Sequence, residues 1–123
     1  MREFLNIAPE IAQAISDGRP VVALESTVIA HGLPRPQNLE TAHRLQEIVR
    51  ESGAVPATIA IIAGKLTIGL SDDEIQLLAE RIGIRKISTR DIPIAVSEGW
   101  DGATTVASTT WIAHRAGLKV FAT

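Results

Sequence analysis

Apolar residues along this chain fall into short blocks whose spacing alternates between that of helices and that of strands. Isoleucines recur every fourth residue within 6–17, with a proline early in the run and a glycine after it, which predicts a short amphipathic helix. Residues 20–25 form a mostly apolar run that is too short for a helix, so we expect a buried strand. A glycine and two prolines within 26–37 predict a loop there.

The middle of the chain predicts a helix, a hairpin and a second helix. Apolar side chains in 39–52 lie on one helical stripe, and a glycine follows it. Two apolar runs, 57–63 and 66–70, flank a Gly-Lys pair, which predicts two strands joined by a tight turn. The sequence Ser-Asp-Asp-Glu at 71–74 matches a capping box, which begins a helix that we expect to end near Ile82.

The last third of the chain repeats the alternation, with a strand predicted over 84–88, helices over 91–98 and 103–116, and a strand over 118–122. This order predicts a layered α/β fold with a largely parallel sheet flanked by helices, because each helix can serve as a right-handed crossover. No helix follows the final strand, so we expect the sheet to be incomplete at the carboxyl end. Residues 1–123 would then form the amino-terminal portion of a single α/β domain.

Composition narrows the partners that we expect. Twelve basic and fourteen acidic side chains give a formal charge of −2, and aromatic residues make up 3% of the chain, so a nucleic-acid surface is not expected. The chain has no cysteine, which excludes disulfides and thiolate metal sites and is typical of a reducing compartment. No run approaches the ~20 apolar residues that span a bilayer. We therefore expect a cytoplasmic protein without membrane contact.

Glu25 is the first candidate for chemistry. Ligands of open α/β sheets bind beyond the carboxyl ends of the strands, and Glu25 stands at such an end. After the run Val-Val-Ala-Leu its carboxyl group would be half desolvated, which suits a general acid near neutral pH. The alternative is that Glu25 caps the next loop or pairs with a surface cation, and the spacing gives this alternative at least equal weight.

Lys86 and the segment 102–106 are further candidates. A partly buried lysine inside the strand 84–88 would need a phosphate, a carbonyl ligand or a carboxylate as its partner, but the pattern favours an edge strand whose cations oppose aggregation. Segment 102–106 places a glycine and two threonines where a loop enters a helix, so its N–H groups either attract an anion or carbonyl oxygen or form an ordinary N-cap. The residues alone predict a small-ligand site near Glu25, Lys86 and this turn.

Two common kinds of site lack their signature. The three histidines are scattered along the sequence without the i,i+4 spacing that aims two imidazoles at one metal ion, so we expect no metal ligands among them. The chain also has no Gly-x-Ser-x-Gly nucleophile elbow, and no dinucleotide-binding glycine pattern.

Several longer segments stand out together, and they are ALESTVIAHGLP at 23–34, PQNLETA at 36–42, GAVPATIA at 53–60, RKISTRD at 85–91 and GATTVA at 102–107. In this order, and with few gaps between Pro20 and Thr123, they resemble the pseudouridine-5'-phosphate glycosidase family, also called the indigoidine synthase A family. A match over ordered segments of this length is far more specific than a match to a short motif.

The resemblance implies reversible cleavage of the C–C glycosidic bond of pseudouridine 5'-phosphate, a small-molecule nucleotide, to uracil and ribose 5-phosphate. In this family a lysine attacks the sugar carbon, opens the ring and forms an imine as an electron sink, while a glutamate protonates the uracil carbon. By position, Glu25 corresponds to the proton donor, Lys86 to a substrate-contacting lysine and Val106 to a substrate contact. We assign the contact of Val106 to its backbone, because an isopropyl group cannot form a hydrogen bond.

The resemblance also implies groups that these residues do not match. Family members hold a manganese ion through an aspartate and carry the nucleophilic lysine, both beyond the position of Thr123, and Lys119 does not match the surroundings of that lysine. We therefore expect the amino-terminal part of such an enzyme, inactive alone and a homo-oligomer when full length. The alternative is a non-catalytic binding or assembly module derived from this family.

Overall fold

The sheet and its helices account for most of residues 2–123, which are the residues that the computed structural model describes. The seven strands among them are β1 (Leu5–Ile7), β2 (Val21–Leu24), β3 (Val55–Ile62), β4 (Lys65–Ile68), β5 (Arg85–Ile87), β6 (Gly102–Thr104) and β7 (Val120–Ala122). The five α-helices are α1 (Pro9–Ser16), α2 (Gln37–Glu51), α3 (Asp72–Glu80), α4 (Ile92–Glu98) and α5 (Val106–Arg115).

All seven strands belong to one sheet, whose main path runs β1-β4-β3-β2-β7, while β6 pairs with β3 and β5 pairs with β6. The pairs β1–β4, β2–β3, β2–β7 and β5–β6 are parallel. The pairs β3–β4 and β3–β6 are antiparallel. The predicted α/β class with a predominantly parallel sheet is therefore confirmed, with β1, β5 and β7 as edge strands of the described residues.

Strands β2 and β6 lie end to end along the same edge of β3. Leu24 of β2 pairs with Thr58, and Ala103 of β6 pairs with Ala60, on the edge that β4 does not use. Extending both registers by one residue would bring Glu25 and Thr104 together opposite Ile59. Because one place beside Ile59 cannot hold two strands, β2 leaves the sheet at Glu25 and the chain bends at the next residue.

Both faces of the sheet are covered. On one face, Ile11 of α1 and Ile112 of α5 pack in a buried cluster that includes Ile59. On the other face, Leu78 of α3 packs in a second cluster that includes Ala60. Because successive strand residues point to opposite faces, β3 contributes to both clusters and is apolar almost throughout.

The helix predicted over 6–17 is shorter in the structure. It begins at Pro9, because Leu5–Ile7 is a strand that pairs in parallel with β4. A strand of three residues is too short to show a clear alternation of apolar and polar positions. Its partner lies about sixty positions further along the sequence, in the register Asn6 to Thr67, so local sequence carries no sign of the pairing.

The loop predicted over 26–37 is wrong in its centre, where Val28–Gly32 forms a π-helical turn. Asn38, which is buried at the start of α2, explains part of this order. Its side-chain amide donates hydrogen bonds to the carbonyl oxygens of Ile29, at 3.1 Å, and Ala79, at 2.8 Å. The turn is thereby tied to the last turn of α3, although its glycine and the prolines that follow it are typical of irregular structure.

The helix predicted over 103–116 is also wrong at its start, because Gly102–Thr104 is the strand β6 and α5 begins only at Val106. Gly102 pairs with Ile61 and packs so closely on Ile87 that a Cβ atom added to it would lie 2.8 Å from Ile87 Cδ1. A glycine followed by threonines is typical of a helix entrance, and only this long-range packing shows that it is a strand.

The central predictions are confirmed. Strands β3 and β4 form the expected antiparallel hairpin, but its turn is Ala63-Gly64, one residue before the predicted Gly-Lys pair, because Lys65 already pairs with Ile62. Ser71 and Glu74 form the expected capping box, in which Ser71 Oγ accepts from the Glu74 N–H and Glu74 Oε1 accepts from the Ser71 N–H. None of the helices in residues 2–123 combines the length and the apolar character that crossing a bilayer requires.

Candidate active site

The carboxyl ends of β2 and β6 face each other beside the middle of β3, and we call residues 25–27 and 104–106 the strand junction. The two strands run toward each other because β2 is parallel to β3 and β6 is antiparallel to it. Side chains connect the two segments directly. Ser26 Oγ accepts a hydrogen bond from the Thr104 N–H at 2.8 Å, and Thr27 Oγ1 donates to the Thr104 carbonyl oxygen at 2.7 Å.

Buried hydroxyl groups continue the strand junction into the core. Thr104 Oγ1 donates to the carbonyl oxygen of Ile59 at 2.9 Å and lies 3.2 Å from Ser26 Oγ and 2.7 Å from Thr109 Oγ1. Ser26, Thr104 and Thr109 are each 0% exposed. No buried side-chain nitrogen or oxygen in the described residues lacks a hydrogen-bond partner, so this polar cluster is fully satisfied.

The end of β5 is attached to the same place. The carbonyl oxygen of Ile87 accepts from Ser108 Oγ at 2.7 Å and from the Thr105 N–H at 3.3 Å. Just beyond it, Asp91 Oδ2 accepts from the hydroxyl and the N–H of Ser88, at 2.7 and 3.0 Å. These two hydrogen bonds favour the ionised carboxylate and lower the pKa of Asp91. Strands β2, β5 and β6 therefore all end at the strand junction.

Glu25 lies at the strand junction with its side chain half-buried, as the run before it predicts. Strand β7 reaches it from the other side, since Leu24 pairs with Ala122. Thr123, the next residue, donates a hydrogen bond from its Oγ1 to Glu25 Oε1 at 2.5 Å. This contact fixes one carboxylate oxygen and leaves Oε2 without a hydrogen bond from residues 2–123.

Val106 is the first residue of α5 and is 45% exposed, next to the capping box that Thr105 forms with Ser108. The Ser108 N–H donates to Thr105 Oγ1, and Ser108 Oγ accepts from the Thr105 N–H. The capping box satisfies the N–H of the third residue of the helix. The N–H of Val106 is one of the orphan donors of a helix start, so the backbone of this residue can bind an acceptor.

Lys86 is exposed on the edge strand β5, where it pairs with Ala103. Its neighbour Arg85 is also exposed and packs its guanidinium over the ring of Trp100 at 3.9 Å from the ring centre. This placement fits the alternative interpretation, in which the two cations protect an edge strand. Lys86 directly precedes Ile87, whose carbonyl oxygen accepts the hydrogen bonds from Ser108 and Thr105. A substrate contact for Lys86 stays a prediction.

Glu25 and Val106 lie at the strand junction and Lys86 lies within the adjoining strand β5, and their side chains are not linked. No hydrogen bond or ion pair within residues 2–123 joins Glu25, Lys86 or Val106 to one another. Glu25, Lys86 and Val106 do not line the cavity of about 680 Å³ beside α4, nor four smaller cavities elsewhere in the described part of the chain. Their shared role in one pocket remains a prediction.

Metal ligands are not assembled in the described residues. No group of three or more histidine, cysteine, aspartate or glutamate side chains lies close enough together there to hold an ion. The nearest approach of a histidine to a carboxylate is His43 Nδ1 to Asp72 Oδ1, at 4.0 Å. Residues 2–123 therefore do not by themselves fit a manganese site.

Sequence reasoning missed the residues that hold the strand junction together. The sequence predicts Thr104 only as part of a helix entrance and assigns Ser26 no role, because a serine after a strand and a threonine before a helix are common at turns. Asn38 was overlooked because its polarity suggests a surface position. The signal that could have found them is the cluster of serine and threonine residues at the ends of β2 and β6. Their hydroxyl groups can form hydrogen bonds with backbone groups that no longer pair within the sheet.

The whole arrangement has known counterparts. A sequence model described as "Indigoidine synthase A like protein" matches residues 10–123. The chain belongs to this family. Its sequence is 58% identical over 123 residues to a protein named pseudouridine-5'-phosphate glycosidase from Deinococcus radiodurans, and 56% identical over 122 residues to one from Escherichia coli.

Two solved structures share the fold. The chain superposes with a TM-score of 0.88 and 50% identity on the prealnumycin C-glycosynthase AlnA in complex with ribulose 5-phosphate, covering 98% of this chain and 39% of that one. An indigoidine synthase A-like protein from Thermotoga maritima gives a TM-score of 0.80 and 44% identity over 86% of this chain and 36% of that one. The match to the Deinococcus relative covers 100% of this chain, and the match to the Escherichia relative covers 98% of it. The chain spans 39% of the length of each of these two relatives.

Proposed function

We propose that this chain is the amino-terminal portion of an enzyme that reversibly cleaves the C–C glycosidic bond of pseudouridine 5'-phosphate to uracil and ribose 5-phosphate. The observation that carries the proposal is the 58% identity, over all 123 residues, to a protein named for this reaction. A solved relative named a C-glycosynthase and complexed with a sugar phosphate also supports it. A further support is the position of Glu25, the predicted proton donor, where the carboxyl ends of β2 and β6 face each other.

Glu25 is the proposed proton donor. A carbon–carbon bond breaks more readily if the leaving ring carbon is protonated, so the donor must be a general acid held next to that carbon, and a protonated carboxyl group can fill this role. The hydrogen bond from Thr123 to Oε1 fixes the carboxyl group, and Oε2 is then available to carry the proton. The half-buried position limits solvent contact without enclosing the group.

Binding of the substrate is proposed for two further groups. The N–H of Val106, at the first position of α5, can donate to an acceptor of the substrate, and the positive end of the helix favours a negatively charged one. The ammonium group of Lys86 can contact the phosphate or a carbonyl oxygen from the exposed edge of β5.

The nucleophile and the manganese ion are proposed to belong to residues outside this chain. Of its other two lysines, Lys65 donates to the carbonyl oxygen of Glu3 beside the β3–β4 hairpin. Lys119 precedes β7, at the opposite end of that strand from Thr123 and Glu25. Neither lysine is therefore placed to attack a sugar carbon next to Glu25, and we propose that the chain alone is inactive. We also propose that the full-length enzyme is a homo-oligomer.

The test compares the complete reading frame with the 123-residue chain. Each purified protein is incubated with pseudouridine 5'-phosphate and Mn²⁺, and released uracil is measured by chromatography, with uridine 5'-phosphate as the C–N control substrate. We expect uracil from pseudouridine 5'-phosphate with the complete protein only. A folded complete protein that releases no uracil would overturn the proposed reaction and favour a binding or assembly module, and clear turnover by the chain alone would contradict its inactivity.

A further inference from the structure

We propose that the buried hydroxyl groups of Ser26 and Thr104 are positioning residues, which hold Glu25 and the first turn of α5 in a fixed relation across the strand junction. This inference rests on the proposed function, because positioning matters only if Glu25 and Val106 act on one substrate. Neither hydroxyl is proposed to touch that substrate, since both residues are 0% exposed.

The geometry gives each hydroxyl a connecting role. Ser26 directly follows Glu25, and its Oγ accepts the N–H of Thr104, two residues before Val106. Thr104 Oγ1 then donates to the carbonyl oxygen of Ile59, the position that β2 and β6 approach from opposite directions. The hydrogen bonds therefore link Ser26, beside Glu25, to Thr104, and they link Thr104 in turn to β3 and to Thr109 of α5.

No backbone pairing can replace these bonds. Strand β2 pairs with β3 only as far as Leu24, and β6 pairs with β3 only from Ala103 backward, so neither register includes Glu25 or Thr104. The link between the two strand ends depends on the side chains of Ser26, Thr27 and Thr104. Thr27 is only partly buried, and its bond to the Thr104 carbonyl oxygen adds a second connection at the surface side.

Small displacements of this link should affect chemistry more than binding. A shift of about 1 Å between reacting groups can lower a rate on the order of 10²-fold, because proton transfer requires close alignment. Substrate binding draws on many contacts at once and tolerates such a shift better. Loss of a positioning hydroxyl should therefore lower kcat and leave KM nearly unchanged.

The test uses the complete reading frame with the substitutions Ser26→Ala, Thr104→Val and Thr104→Ser. We expect Ser26→Ala and Thr104→Val to lower kcat by about 10-fold to 100-fold with KM within about threefold of the wild type. Thr104→Ser keeps the hydroxyl and should stay within about threefold of the wild-type kcat. Circular dichroism and thermal unfolding check that each variant is folded.

A matched control is Thr67→Val. Thr67 is also a buried threonine of the same sheet, 2% exposed, but its hydroxyl donates to the carbonyl oxygen of Lys65 within β4, away from the strand junction. Its loss should lower stability without lowering kcat. An equal fall of kcat in Thr67→Val and Thr104→Val, or an unchanged kcat in folded Ser26→Ala and Thr104→Val, would overturn the positioning role.

Failure of the proposed function is separable from failure of this inference. If the wild-type protein releases no uracil, the proposed reaction fails, and amide hydrogen exchange of the chain then tests the hydrogen-bonded link between the two strand ends by itself. Ser26→Ala should then speed exchange at residues 25–28 and at the Thr104 N–H, and Thr67→Val should not. Unchanged exchange at both places in Ser26→Ala would overturn the link between the two strand ends.

Discussion

The strand junction and the contact between α1 and α2 both join distant parts of this chain through polar groups, and they differ in burial and in charge. At the strand junction, the neutral hydroxyls of Ser26 and Thr104 connect β2 to β6 without any exposure to solvent. Between α1 and α2, Arg50 donates to both oxygens of Glu10 at 2.7 and 2.9 Å, with both side chains 49% exposed.

The two contacts should differ in how much stability the fold loses when each one is removed. A surface ion pair is screened by water and can be lost with little effect on stability. A buried hydroxyl leaves its partner unsatisfied when it is removed, and that omission destabilises the fold by about 1–3 kcal/mol. Loss of a hydroxyl at the strand junction should therefore destabilise the fold more than loss of the ion pair. The predicted proton donor also lies at the strand junction.

The sharpest test of this contrast applies one chemical change to both regions. In the complete protein, Glu25→Gln removes the proposed proton donor and should lower kcat by roughly 10²-fold to 10⁴-fold. Substrate binding should change far less, because the amide keeps the shape of the side chain. Glu10→Gln is the control and should leave kcat unchanged. Steady-state kinetics measure both, and equal effects would remove the distinction between the two regions.

The next largest effect is expected on stability, beside the strand junction. Gly102→Ala places a Cβ 2.8 Å from Ile87 Cδ1 and 3.2 Å from the carbonyl oxygen of Arg85. Because Ile87 is 1% exposed and cannot move freely, overpacking should lower the free energy of unfolding by about 1–3 kcal/mol. Urea unfolding measures the loss. Ile87→Ala removes Cγ1, the Ile87 atom closest to the added Cβ, so in a double-mutant cycle the combined loss should be smaller than the sum of the single losses. Additive losses would show that the strain lies in the backbone.

A smaller effect is expected at the ion pair. The Arg50 guanidinium lowers the pKa of Glu10, chiefly through its hydrogen bond, so the folded-state pKa lies below the unfolded value of about 4.3. The contribution of Glu10 is then complete above about pH 4.3 and lost as the pH falls through the folded pKa. Since the pair is half-exposed, Glu10→Gln should cost less than about 1 kcal/mol near neutral pH.

Urea unfolding at several pH values checks this prediction. The wild type and Glu10→Gln should converge in stability in acid, where the wild-type carboxyl group is protonated. A difference that stays constant across the acid range would show that the pair does not contribute through its charge.

The smallest effect concerns Asp91, next to the end of β5. Its pKa is lowered chiefly by the hydrogen bond from the Ser88 hydroxyl, and the backbone N–H of Ser88 adds to this. Its folded-state pKa thus lies below the unfolded value of about 3.9, and stability from the ionised form is present above that value and lost below it. Asp91→Asn should lower Tm slightly at neutral pH and not at all in strong acid. A larger difference in acid would contradict the sign.

Much of the fold was predictable because its longer elements carry strong local signals. The apolar run of β3, the stripe of α2 and the Ser71–Glu74 capping box are each specified within a few neighbouring positions. The strands Leu5–Ile7 and Gly102–Thr104 were not predictable, since three residues show no clear period and both pair with strands far away in sequence. Their structure is decided by tertiary contacts rather than by local propensity.

The candidate site was predictable in part for the same reason. Glu25 is visible at the end of an apolar strand, and its arrival at the strand junction follows from the sheet rule. The opposing approach of β6 was not visible, because the sequence gives no sign that Gly102 pairs antiparallel to Ile61. Without that direction, the contact between Ser26 and Thr104 cannot be inferred from their separate surroundings.

The shared edge of β3 gives its length a special importance. Thr58 pairs with β2 and Ala60 pairs with β6, with only Ile59 between them. The number of residues in the middle of β3 therefore sets the distance between the ends of β2 and β6. Inserting one residue there would lengthen the gap by roughly 3.3 Å and reverse which face the later side chains point to. Substitutions along this strand leave the gap unchanged, whereas an insertion or deletion at its midpoint alters it.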